Sequence, residues 1–147
     1  MKRYGVAGIS NSQAAPATII GITGASTVRP VLYDLIIGNA TAVAAQALVV
    51  GVFLYTAAGT STAVTPAPLM AGDVVAQCTA GQTHTVEPTY AGASLLTIAL
   101  NAQASFRFVA SPYGEIVGAA TTSNGIGVKV TSSTATLAEN CTGMYWE

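Results

Sequence analysis

Ionic side chains are what this chain has least of. Among 147 residues there are 5 Lys and Arg against 6 Asp and Glu, 7% in all, for a formal net charge of −1. An ordinary soluble domain devotes about a quarter of its residues to these four types. The cations Lys2, Arg3, Arg29, Arg107 and Lys129 are scattered apart from the first two. Without clustered Lys and Arg there is no footprint for a phosphate backbone, which excludes nucleic acid as a partner. The shortage does not imply disorder. Disordered chains lose apolar residues and gain charge, whereas here 51% of residues are hydrophobic. A folded β protein with small, weakly polar surface residues fits that balance.

Histidine is nearly absent as well. The single copy, His84 in GQTHTVEPTY, has Glu87 three residues on, the one spacing that suggests an acid–base pair. A lone His among Thr, Val and Pro reads more simply as a hydrogen-bonded loop residue. The two cysteines, Cys78 and Cys141, are too far apart for a metal-ligand spacing and too few for a disulfide framework. They read as buried thiols of a protein made in a reducing compartment. Asp34 and Asp73 are isolated carboxylates, and no serine sits in a Gly-x-Ser-x-Gly elbow. The segment TSNGIGVKV (residues 122–130) lacks the Gly-Lys-Ser/Thr ending of a phosphate loop and reads as a turn leading into a strand. No catalytic group, cofactor or metal site emerges, and the expectation is a protein that is not an enzyme.

Long apolar runs are missing too. No charge occurs from Leu35 through Gly72, yet the strongly apolar part, ALVVGVFLYTAA (residues 47–58), falls short of the roughly 20 residues of a membrane-spanning helix. Its β-branched and aromatic content suits a buried strand. The start MKRYGVAGISNSQ has two basic residues but too brief an apolar stretch for a secretory signal. Neither a membrane nor a secretory route is expected.

What remains is a series of short β-like runs with Gly, Pro and Asn boundaries: residues 18–23, 31–37, 47–55, 95–100, 105–110, 115–118, 125–130 and 142–147. Nothing sustained repeats at helical period. The pattern predicts an all-β protein, a single antiparallel β-sandwich over residues 18–147, preceded by an extended arm over residues 1–17 that has no pattern of its own. In SFRFVA the alternation sets Phe106 and Phe108 on one face, expected inside, with Arg107 on the other. Ser111-Pro112-Tyr113-Gly114 then fits a type I turn, so that SFRFVASPYGEIVG reads as a hairpin with an exposed turn.

Two segments raise the question of partners. The strand ALVVGVFLY is apolar on both faces, with Ala47, Val49, Phe53 and Tyr55 on one and Leu48, Val50, Val52 and Leu54 on the other. One core covers one face, and either a neighbouring subunit or a local element must cover the second. After it comes TAAGTSTAVTPAPL (residues 56–69), a stretch of methyls, hydroxyls and prolines without structure of its own. Low desolvation cost and restricted entropy suit such a loop to lie across another subunit. The expected interface residues are therefore Lys2 and Arg3 on the arm, Val49, Phe53 and Tyr55 on the strand, and Thr60, Thr62, Val64, Pro66 and Pro68 on the loop.

The strings LYDLIIGNAT (residues 32–41), TAAGTSTAVTPAPL, THTVEPTY (residues 83–90) and FRFVASPYGEIVGAATTSNGIGVKV (residues 106–130), with the closing MYWE, make the chain from Leu32 to Glu147 resemble a family of small virion proteins of tailed bacteriophages, the capsid decoration or cement proteins. The resemblance implies a jelly-roll or tumour-necrosis-factor-like sandwich, a homotrimer seated on the outer surface of the head, and the major capsid protein as partner. It also implies synthesis in the bacterial cytoplasm. It carries no functional residues over. The alternative from the residues is a receptor- or glycan-binding head of a tail fibre, with Tyr90, Tyr113, Tyr145 and Trp146 as candidate contacts.

Overall fold

The computed structural model describes residues 1–11, 16–39, 44–133 and 136–147. Among the described residues twelve strands follow in order: β1 (Arg3–Ile9), β2 (Ala17–Thr23), β3 (Val31–Asn39), β4 (Ala47–Ala57), β5 (Thr60–Val64), β6 (Ala67–Pro68), β7 (Thr79–Val86), β8 (Thr89–Asn101), β9 (Phe106–Val109), β10 (Ile116–Val117), β11 (Gly125–Ser133) and β12 (Glu139–Trp146). No helix among the described residues is long and apolar enough to cross a membrane.

The strands form two antiparallel sheets. One runs β10-β3-β12-β1-β6 with β9 also on β3, the other β5-β7-β2-β11-β4-β8. The nesting of the pairs gives the architecture. The first strand pairs with the last in one sheet, while the second pairs with the last but one in the other. Setting aside β5, β6 and β7 and counting β9/β10 as one, the eight principal strands change sheet at every step except β4 to β8, in jelly-roll order, β1-β12-β3-β9/β10 facing β2-β11-β4-β8.

Period-2 alternation explains which side chains meet. From the first sheet Tyr4, Val6, Leu32, Leu35, Ile37, Cys141 and Tyr145 point inward. They meet Ile20, Ile22, Leu48, Val50, Val52, Ile126, Val128 and Val130 of the second. Each Val, Leu and Ile among them contributes roughly 1.5–3 kcal/mol on burial. Bulges interrupt the alternation where the registers skip Tyr33 on β3 and Thr131 on β11.

Each of the eight β-like runs foreseen from the sequence contains a strand, residues 115–118 only the two-residue β10, and the structure corrects four other expectations. The segment Arg3–Ile9 is not a free arm: β1 lies between β12 and β6 and buries Tyr4 and Val6 in the core. Residues 12–15 of the expected arm lie outside the described residues. The stretch 56–69 is not a loop without structure either. Gly59, at φ 70°, turns the chain where a Cβ would sit 2.2 Å from the Val86 carbonyl oxygen, so only glycine fits. The chain then pairs β5 with β7 and β6 with β1. The insertion thus covers one otherwise open edge of each sheet.

The third correction concerns residues 105–118. β9 and β10 do not pair with each other; both lie antiparallel along the same edge of β3, as one interrupted strand. The intervening turn is closed by the Gly114 amide donating to the Ser111 carbonyl at 2.8 Å, and Tyr113 at φ 66° gives it type II rather than type I geometry. The fourth is the burial of this edge. Phe106 and Phe108 do share the inner side, opposite Ile37 and Leu35. Phe108 is only half-buried and Phe106 is exposed, because an edge strand is covered on one flank only.

Candidate interaction surfaces

The outer face of β4 is covered from within the chain. Tyr55 stands opposite Gly125 of β11, which stands opposite Thr23 of β2. Its ring crosses that glycine, and its hydroxyl lies 2.6 Å from the Thr23 hydroxyl. A Cβ on Gly125 would fall 2.4 Å from the Tyr55 hydroxyl oxygen, so the missing side chain is the space the ring occupies. Tyr90 of β8 makes a parallel crossing over Gly127, where a Cβ would fall 2.6 Å from its hydroxyl oxygen, and reaches Thr18 of β2 at 2.7 Å. Two tyrosines therefore strut four strands, β2, β11, β4 and β8, together across a row of glycines.

Polar groups complete this face. The Thr18 hydroxyl and amide both donate to the Glu87 carboxylate. Since the hydroxyl has one proton and gives it to Glu87, the Tyr90 hydroxyl is the donor to Thr18. The Lys129 ammonium sits 4.2 Å from the Tyr90 ring centroid and 4.9 Å from that of Phe53, a cation held over two π faces. Burial pushes the Tyr55 hydroxyl up to about 12 against the lowering effect of its bond to Thr23, and burial likewise raises Tyr90 against its bond to Thr18, so both remain protonated.

His84 and Glu87, the suspected acid–base pair, belong to this structure, and Glu87 is half-buried with its carboxylate held by Thr18. His84 is 4% exposed, its carbonyl accepts from the Asn11 amide at 2.6 Å, and burial lowers its pKa against the opposing pull of Glu87. Its Nδ1 has no partner among the described residues. Asp34 is committed to Arg107. No group of three or more His, Cys, Asp or Glu among the described residues could hold a metal ion. Cys78 and Cys141 are free, buried thiols, with burial pushing Cys78 up to about 12.

The expected interface residues divide. Lys2, Arg3, Thr60, Thr62 and Pro68 are exposed, and Val49 and Phe53 are half-buried. Tyr55 and Pro66 are buried within the chain and offer no surface to a partner, while Val64 packs against the core. Sequence reasoning missed the more exposed apolar residues between β6 and β7: Leu69, Met70, Val74 and Val75 are 52–77% exposed. Leu69 and Met70, with Met1, Arg3, Tyr33 and Asp73, line a groove of about 510 Å³. Leu69 is tied there by its amide to the Arg3 carbonyl, and Tyr4 donates to the Val74 carbonyl, so this part of the insertion is fastened to β1.

Of the four aromatic candidates for a ligand site, Tyr145 is fully buried in the core and Tyr90 is a strut. Tyr113 and Trp146 come together at one end of the first sheet, in a second groove of about 560 Å³. Comparison of the chain with protein-family models, with curated proteins and with solved structures gives no match.

Proposed function

We propose that this protein is a structural virion component, a capsid decoration or cement protein that assembles as a homotrimer on the outer surface of a tailed-phage head. The observation that carries this reading is the exposed apolar group Leu69, Met70, Val74 and Val75 on a segment fastened to the sandwich. Apolar residues so displayed on a protein with few surface charges suit burial against another protein, in this reading the major capsid protein. Several charged groups have structural partners here: Glu87 holds Thr18, Lys129 lies on aromatic rings, and Asp34 holds Arg107. A jelly roll with neighbouring copies around it needs no catalysis to reinforce a shell, because area added at many junctions sums.

The test uses shells assembled from the major capsid protein of the parent virus. Adding the purified chain should yield shells that carry it through sedimentation and resist a higher temperature. Val75→Asp with Leu69→Asp should leave the free protein folded and abolish both effects. A parent chain that stays in the supernatant, or a double variant that binds as well as the parent, would sink the reading.

A further inference from the structure

The groove around Trp146 has features that neither the fold nor docking to a shell requires. Its floor is a cross-strand row on the outer face of the first sheet: Trp146 of β12 lies opposite Val31 of β3, which lies opposite Val117 of β10. Arg29 and Glu115 stand on its walls, and neither makes a side-chain hydrogen bond or ion pair among the described residues, although both line the same groove. Glu147 also borders it, but its carboxylate is held by the amides of Gln77 and Cys78 at 2.8 and 3.0 Å.

The second observation is Tyr113. Its backbone is in the left-handed region, φ 66°, where a non-glycine residue is strained, and its side chain is fully exposed. A glycine would make the same turn without strain, and the ring gains nothing by packing. Strain of this kind collects where a side chain is being presented to something else.

We propose that this groove binds a saccharide. A sugar ring offers an apolar face of C–H groups to the negative π face of an aromatic ring, and Trp146 and Tyr113 supply two such rings within one groove. Its hydroxyls are donors and acceptors at once, matching an uncommitted guanidinium and an uncommitted carboxylate that line the same groove. A phosphate or sulfate would meet Glu115 and Glu147 as well as Arg29, and a purely apolar peptide would leave Arg29 and Glu115 desolvated without partners. A volume of about 560 Å³ is in the range of small-ligand sites. The site is independent of whether the particle carries the protein on its head or its tail.

Trp146 is the only tryptophan of the chain, so its emission reports on this groove directly. The full-length protein would be applied to an array of purified bacterial and mammalian glycans, and the retained glycans titrated while Trp146 fluorescence is followed. The expected result is a saturable emission change. Tyr113→Gly and Arg29→Ala with Glu115→Gln should each weaken binding by about tenfold, the scale of one lost polar or stacking contact, with the thermal midpoint unchanged or, for Tyr113→Gly, raised. Three results would overturn the proposal. These are an array without a retained glycan, binding that leaves Trp146 emission unmoved, or emission that answers inorganic phosphate or unglycosylated peptide in place of glycans. Shell binding by the same variants, measured in parallel, keeps this outcome separate from the structural role.

Discussion

Arg107 lies across Asp34 as a two-pronged clamp, Nε donating to Oδ1 at 3.0 Å and Nη2 to Oδ2 at 2.5 Å. The carboxylate is 4% exposed and the guanidinium is largely in solvent, so the pair joins a buried charge on β3 to the edge strand β9. The guanidinium holds the Asp34 carboxyl below its ordinary range, and burial opposes it. Arg107→Leu should therefore destabilise the protein more than Asp34→Leu with Arg107→Leu together, because the single change leaves an uncompensated buried carboxylate. Urea unfolding midpoints of the two variants would check the order. The reverse order would mean that the clamp is ornamental.

Gly125 tests the strut arrangement. A methyl group there would sit 2.1 Å from the Ile22 carbonyl oxygen and 2.4 Å from the Tyr55 hydroxyl, and the first of these is backbone that cannot swing aside. Gly125→Ala should cost about 1–3 kcal/mol as an overpacking change. Tyr55→Phe, which keeps the ring and removes only the bond to Thr23, should cost about 1 kcal/mol. Denaturant titration resolves the two. Equal and negligible effects would show that the rings do not bear on the glycines.

The edge strand β9 gives a smaller effect than a core phenylalanine would. Phe108 is half-buried beside Leu35, so Phe108→Ala should cost about 1–2 kcal/mol, below the 3–5 kcal/mol typical of a fully buried Phe. Phe106→Ala, at 36% exposure, should cost less still. A Phe108→Ala loss equal to that of a fully buried Phe would show that the edge is covered in solution, as by another subunit.

Strands with an apolar inner face announced themselves because burial and β-propensity act on the same residues: 18–23, 31–37, 47–55 and 125–130 all carry Ile or Val at inward positions. β5 and β6 carry no such signal. TSTAV is exposed along most of its length and is a strand because β7 offers it unpaired hydrogen-bonding groups, a tertiary cause that no local pattern records. β1 had a signal that passed unnoticed, Tyr4 and Val6 alternating with small residues, obscured by the two cations before it. The aromatic struts were half legible. The second apolar face of β4 demanded a cover, but the cover comes from Tyr90, 35 residues beyond Tyr55 in the chain, and needs glycines that read as turn residues in sequence.

Two buried ionisable groups pull the pH dependence of stability in opposite directions. Glu139 is 1% exposed, its carboxylate finds no partner among the described residues, and burial raises it to about 7 from 4.5. A folded-state value above the unfolded one means that its contribution is fully present below pH 4.5 and is lost as pH rises through about 7. His84 is lowered by burial, so its contribution is present above the ordinary His value and is lost as pH falls below it. Glu139→Gln should stabilise the protein at pH 8 and flatten the alkaline side of its stability profile, while His84→Gln should flatten the acid side. Thermal midpoints measured from pH 4 to pH 8 would show this, and a Glu139→Gln variant with an unaltered profile would refute the assignment.

The two segments that read in sequence as lacking structure of their own are both built into the sheets, and the loss of either should be costly. β1 is an interior strand of its sheet, with Tyr4 stacked on Tyr145 at 5.6 Å between ring centroids and hydrogen-bonded neighbours on both sides. Removing residues 2–9 would strip Tyr4 and Val6 from the core and expose the edge of β12, so the truncated chain should be unfolded or aggregated. Replacing residues 56–69 by a Gly/Ser linker of equal length is milder. It removes β5 and β6, which are largely exposed, but it bares the paired edges of β7 and β1 and withdraws Val64 and Pro66 from packing. That variant should fold with a lowered thermal midpoint and self-associate through its open edges, visible as concentration-dependent sedimentation and slower exchange of β7 amides in the associated form. If it sediments like the parent with an unchanged midpoint, the insertion does not close the sandwich edge.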